Sequence, residues 1–196
     1  MSRAALAFKA RTGRAILVML TGDARGAQVI ERSQVALLPE GEWAPYHAAE
    51  GLEPEEARRH VKRSIATAQL LATNAIRDAA RRCTGAGHEL AGCAVLVGAG
   101  MPDWTTDEIL AVHVRMHQAE GELFRQVLVD GAQACGLALK TLPAKSALDT
   151  AATMMRVTRA RLDAQLAALG KSAGPPWGLD QKEAAAAALV VLERAR

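Results

Sequence analysis

Residues 6–20, LAFKARTGRAILVML, set two short apolar runs with β-branched members on either side of Thr12-Gly13. A Thr-Gly step between such runs signals a β-hairpin, because glycine reaches the positive φ that tight turns require. A sheet that opens this way is committed to antiparallel pairing at its start. The turn is also basic, with Lys9, Arg11 and Arg14 and no acid. After a second turn cluster, TGDARG, the segment AQVIERSQVALL sets Val29, Glu31, Ser33 and Val35 against Ile30, Arg32 and Gln34. That alternation predicts a third antiparallel strand, less buried than the first two.

The rest of the chain changes period. Residues 39–53 carry Pro39, Gly41, Pro45 and Gly51 and read as a loop. Pro54 with Glu55 and Glu56 opens a long helix whose apolar face runs Ala57, Val61, Ile65, Ala68, Ala72, Ala75, Ile76, Ala79. Arg81-Arg82 close it before Gly85 and Gly87. ELAGCAVLVGAG is too short for a helix and reads as a buried strand. Thr105 and Glu108 offer a capping box for one helix reaching Cys135. LALKTLPAKS predicts a further strand, residues 146–169 a helix stopped by Gly170, and residues 180–196 a final helix of alanine and leucine. The order is β-β-β-α-β-α-β-α-α: strands over about 4–38, loop 39–53, then helices and two strands over 54–196, in a single α/β domain. Three strands should wind antiparallel, and two more, entering through helical crossovers, should lie parallel to the first. The expected fold class is a mixed five-stranded sheet with helices on both faces.

This order resembles the ribonuclease H-like fold, and within it the bacterial Holliday-junction resolvases. Their first hairpin similarly carries Thr-Gly at its turn, as Thr12-Gly13 does. Their last helix similarly begins with two acids three apart, as Asp180 and Glu183 do in LDQKEAAAAALVVL. AEGELFRQVLVDGAQACGL, followed by a short strand, is similar to their middle helix and fifth strand. The resemblance implies nucleic acid as partner and two divalent ions held by clustered carboxylates, with the first strand supplying the central aspartate. Here the corresponding positions are Leu6, Ala7, Phe8 and Lys9, none of which can ligand magnesium. The fourth strand ends in glycines, with Asp103 the nearest acid along the chain. The expectation is a resolvase-like protein without the usual two-metal cleavage.

Other constellations point to different chemistry. His113 and His117 are four apart and Glu120 three further on, so all three share one helix face and could hold a transition metal. The likeness to the zinc-protease helix is partial, since Val114 stands where that motif has its glutamate. Gly121, inside a helix, suggests close approach by another element; were that the last helix, Glu120 would join Asp180 and Glu183 as candidate catalytic acids. Gly98-Ala99-Gly100 fails the phosphate-binding pattern at Asp103. Ser64, Ser146 and Ser172 lack the surroundings of a hydrolase nucleophile. Trp43, Tyr46 and His47 anchor the long loop or border a pocket. The candidate nucleic-acid contacts are Lys9, Arg11 and Arg14 at the hairpin and Arg58, Arg59, Lys62 and Arg63 on the first long helix. A further basic group, Arg156, Arg159 and Arg161, lies on another expected helix.

Composition narrows the classes. Net charge is +3 with a pI near 9.0, which permits nucleic-acid contact without demanding it. Aromatic residues are only 3%, a thin platform for stacking single strands. No apolar run approaches the roughly 18 residues that span a bilayer, and charges stand early in MSRAALAFKARTGR where a signal peptide is apolar. Cys83, Cys93 and Cys135 are odd in number and unpaired in spacing, so they read as reduced thiols of a cytoplasmic protein. Three readings stay open: a nucleic-acid-binding resolvase relative, a metal-dependent or small-molecule enzyme at His113, His117 and Glu120, and an assembly protein dimerising through alanine-rich helices.

Overall fold

The computed structural model describes residues 2–24 and 26–193. Five strands form one sheet: β1 (Arg3–Arg11), β2 (Arg14–Thr21), β3 (Gln28–Ala36), β4 (Glu89–Val97) and β5 (Leu139–Pro143). Their spatial order is β3-β2-β1-β4-β5, with β1, β2 and β3 antiparallel and β4 and β5 parallel to β1. This is the mixed five-stranded sheet the sequence predicts. The β1–β2 turn depends on Gly13, whose φ is +69° and over whose Cα the Trp43 side chain lies. Its carbonyl accepts from the Leu37 and Leu38 amides, tying the hairpin tip to the end of β3. β3 is only half-buried, as its alternation foretold.

Among the described residues seven α-helices accompany the sheet: α1 (Pro45–Ala48), α2 (Pro54–Gly85), α3 (Thr106–Leu110), α4 (His113–Ala134), α5 (Ala147–Met154), α6 (Arg159–Ala173) and α7 (Leu179–Leu192). Two of the helices expected as continuous are broken. The capping box at Thr105 and Glu108 is present, yet it opens only the short α3. Val112, the N-cap of α4, is extended and restarts the helix in a new direction. The segment after β5 splits where Arg156 takes φ +54° and Thr158 caps α6 with its hydroxyl. Gly170 does not end α6; it lies inside the helix beneath the Trp177 ring, whose indole N–H donates to the Leu166 carbonyl. Residues 194–196 of the expected last helix lie outside the described residues.

Alternation along β1 sorts the two layers. Leu6 and Phe8 pack with Leu17, Met19, Cys93 and Val95 against α2 and α4. Ala5 and Ala7 pack with Val18, Leu20, Ala94 and Leu96 against α5, α6 and α7. The whole of α7 from Glu183 to Leu192 is buried, because β1, β2 and β4 cover one side and α5 and α6 the other. A helix apolar all round suits only such a position, so its alanines pack inside the chain and offer no surface to a second copy. A third cluster, around Tyr46, Val61, Ile109, Met116 and Ala119, joins α1 to α2, α3 and α4. Cys83 and Cys93 are buried and free, and burial pushes the Cys93 thiol up to about 12. Among the described residues no helix is long and apolar enough to cross a membrane.

The close helix approach expected at Gly121 occurs instead at Gly131. A Cβ there would stand 3.0 Å from Ile76 Cδ1 and 3.2 Å from the Thr73 amide nitrogen of α2. At Gly121 the nearest group is the Arg125 guanidinium, 3.3 Å away and free to swing aside. Gly131→Ala should therefore lower stability by about 1–2 kcal/mol through overpacking. Gly121→Ala should raise it by about 0.5–1 kcal/mol through helix propensity. Urea denaturation of both variants checks the contrast.

Candidate functional site

Two clusters of chemistry-bearing residues stand out, one on each side of the sheet. The first follows from strand parity. Lys9 shares the face of Ala5 and Ala7, so its side chain runs toward the start of α7 rather than out of the hairpin tip. Asp180 and Glu183, three apart on α7, present their carboxylates on that same side. The Lys9 ammonium pairs with Glu183 Oε2 and, at 3.1 Å, with Asp180 Oδ1. Arg11, two residues on, grips Asp180 with both arms of its fork, Nε to Oδ2 at 2.8 Å and Nη2 to Oδ1 at 2.5 Å. The Lys9 and Glu183 side chains are 12% and 11% exposed, so that pair is largely withdrawn from water, while Arg11 is half in solvent. Two cations meet two anions, and the group is charge-balanced.

The Arg11 hydrogen bond holds the Asp180 carboxyl below its ordinary value of 3.8, against the opposing pull of burial and with further help from Lys9. Asp180 raises the Arg11 guanidinium in return. No acid enters from β4: Val97 runs into Gly98, against which lie the Glu122 carboxylate and the Arg125 guanidinium, a pair at 3.4 Å. Asp103 is exposed in the loop beyond.

The second cluster lies on the α2–α4 side. His113 and His117 stand one turn apart at the start of α4, and the third member is His47 of α1, not Glu120. Glu120 is buried at 5% exposure behind His47, its Oε1 accepting from His47 Nδ1 at 2.9 Å and from the Tyr46 and His47 amides at 3.2 Å. Glu120 thus faces away from the acids of α7, with the sheet between them, and the three-carboxylate cluster expected from the sequence does not form. The histidine Nε2 atoms of residues 113 and 117 are 3.2 Å apart. One potential ligand atom from each of the three histidines lies within 4.8 Å of the others.

The remaining basic residues are divided. Arg58 pairs with Asp107 at 2.7 Å and Arg59 with Glu55 at 3.7 Å, both in solvent. Lys62 and Arg63 are exposed on α2, in the layer opposite α7, so they do not share a surface with the Lys9 group. Arg14 is exposed at the turn, opposite Arg11 in the ladder. Lys9 is no tip residue, and Arg11 is bound to Asp180. In sequence, Lys9 reads as a basic turn residue and His47 as a loop anchor or pocket border, and neither pattern gives the residue's partners. Period-2 alternation puts Lys9 on the face of Ala5 and Ala7, yet its pairing with Asp180 and Glu183, and that of His47 with Glu120, join segments distant in the chain.

Removing the Lys9 ammonium leaves Glu183 buried beside Asp180 with only the half-exposed Arg11 to offset two negative charges. Lys9→Met should cost about 3 kcal/mol, and adding Glu183→Gln should restore most of it, read by urea denaturation as a double-mutant cycle. Asp180 also sets a pH window. Its folded pKa lies below the unfolded one, so its contribution is full above about pH 4 and fades as acid takes the pH down through the folded value. With Arg11 half exposed that contribution is about 1 kcal/mol. The stability gap between the wild type and Asp180→Asn should be flat from about pH 5 to 8 and close below about pH 4.

No protein-family description and no curated protein sequence matches the chain. Two solved structures are similar to it at low identity. The RuvC protein of Thermus thermophilus in complex with a Holliday-junction substrate is 10% identical, with a TM-score of 0.49, covering 96% of this chain and 91% of that one. A second Thermus thermophilus RuvC structure is 9% identical, with a TM-score of 0.48, covering 95% and 92%.

Proposed function

We propose that this chain is a ribonuclease H-like protein that binds nucleic acid without two-metal cleavage. The observation that carries the reading is the Lys9 ammonium lodged between Glu183 and Asp180. A divalent ion bound by those carboxylates would stand roughly 4 Å from a fixed positive charge, a repulsion of about 8 kcal/mol at an effective dielectric of 20. Magnesium also demands near-octahedral oxygen donors, and the oxygens of Asp180 are already taken by Lys9 and Arg11.

The same ion-pair arrangement alters how a polyanion meets the site. Bare carboxylates repel phosphate unless metal ions intervene, whereas a charge-balanced group does not. Arg14 and Lys145 are exposed and Lys182 half-exposed at this end of the sheet, where β1 and β5 finish and α7 begins. They supply sequence-independent phosphate contacts of the kind that position a backbone.

The test is fluorescence anisotropy of labelled single-stranded, duplex and four-way-junction DNA, with manganese present and cleavage followed on gels. Three phosphate contacts imply that affinity falls about fortyfold between about 50 and 200 mM salt, and that Arg14→Ala with Lys182→Ala flattens the dependence. The substrate should stay intact. Manganese-dependent cleavage abolished by Glu183→Gln would refute the non-cleaving reading, and absence of binding at micromolar protein would refute nucleic acid as the partner.

A further inference from the structure

The tri-histidine cluster stands apart from the Lys9 group, across the sheet, and has its own logic. We propose that His47, His113 and His117 form a binding site for a divalent transition-metal ion of the zinc type.

Sequence and fold build this site in three steps. His113 and His117 are separated by one helical turn, which places both imidazoles over the same stripe of α4. The apolar cluster of Tyr46, Ala49, Ile109, Met116 and Ala119 seats α1 against that stripe. Pro45 opens α1 and so fixes the backbone that carries His47. The three rings then converge, with centroids 4.5 to 5.1 Å apart.

Donor spacing between His113 and His117 fits an ion, and the His47 ligand atom stands within 4.8 Å of both. Zinc–nitrogen bonds of about 2.0–2.1 Å in tetrahedral array put neighbouring nitrogens about 3.3–3.4 Å apart. The Nε2 atoms of His113 and His117 are 3.2 Å apart. His47 is prepared for the same task. Its Nδ1 donates to Glu120 Oε1, which leaves the lone pair on Nε2. That Nε2 is buried with no hydrogen-bond partner among the described residues. A buried imidazole nitrogen left unpaired is a net cost to the fold, and an ion between the three rings removes it.

Glu120 supplies what metal-ligating histidines regularly have, a carboxylate on the far ring nitrogen that sets tautomer and orientation. It is itself held by two backbone amides. Three imidazoles without a carboxylate in direct contact suit zinc, copper or nickel rather than magnesium or calcium. His113 and His117 are exposed, so the fourth coordination position opens to solvent and takes water. Such an ion joins the loop carrying His47 to α4 across 66 residues of chain (113 − 47).

The experiment uses the untagged full chain, stripped with chelator and titrated with zinc against a chromogenic competitor, and separately with cobalt. One zinc per chain is expected, with cobalt giving the intense absorption of a tetrahedral nitrogen site. The double variant His113→Ala/His117→Ala, whose substitutions are at exposed positions, should melt like the metal-free wild type and lose zinc binding at least a hundredfold. Glu120→Gln should weaken it 10- to 100-fold while leaving one ion per chain. Zinc should raise the melting temperature of the wild type and not that of the double variant. Equal zinc affinity in wild type and double variant, or weak octahedral cobalt absorption in the wild type, would overturn the proposal.

Discussion

Burying Glu183 is the constraint around which the molecule is arranged. It opens the ten-residue run of α7 that has no solvent-facing side, and a carboxylate in that position needs a partner that is also inside. β1, at the centre of the sheet and packed under α7, provides it as Lys9. The Lys9–Glu183 pair is therefore where two conditions meet: the apolar packing of a small-residue helix on the sheet, and the electrostatic balance at the end where the parallel strands stop. Arg11 and Asp180 extend the balance outward into solvent, where screening weakens it.

Much of the architecture was readable from period alone. The hairpin, the half-buried third strand, the long α2 and the parallel β4 and β5 all announce themselves through alternation, 3.6-residue spacing and glycine stops. What period could not show was where a helix changes direction. The α3–α4 break follows from an extended Val112, and the α5–α6 break from a positive φ at Arg156, neither residue being a usual breaker. Gly121, Gly131 and Gly170 look alike as letters, yet only the last two lie where a group from another segment approaches, and that depends on packing between those segments.

The sites show the same division. His113, His117 and Glu120 were visible as a helix face because they are local. The role of Glu120, held behind His47 rather than beside the other two histidines, was not, since His47 lies on α1, 66 positions before His113 (113 − 47). Asp180 and Glu183 were visible by spacing, and Lys9 was seen as part of a basic turn. Its true direction required knowing that β1 continues through Arg11 with Ala5 and Ala7 on the α7 side. Local pattern identifies which residues are chemical; topology decides with whom they react.

The Lys9–Glu183 pair also bears on how a sequence of this kind could change over time. Replacing Lys9 by an acid would place three carboxylates together at the start of α7, which only a bound cation could hold. Replacing Glu183 alone would leave a lysine pointing into the layer between sheet and helix. Each single step passes through a destabilised chain, so the two positions are expected to drift together or not at all.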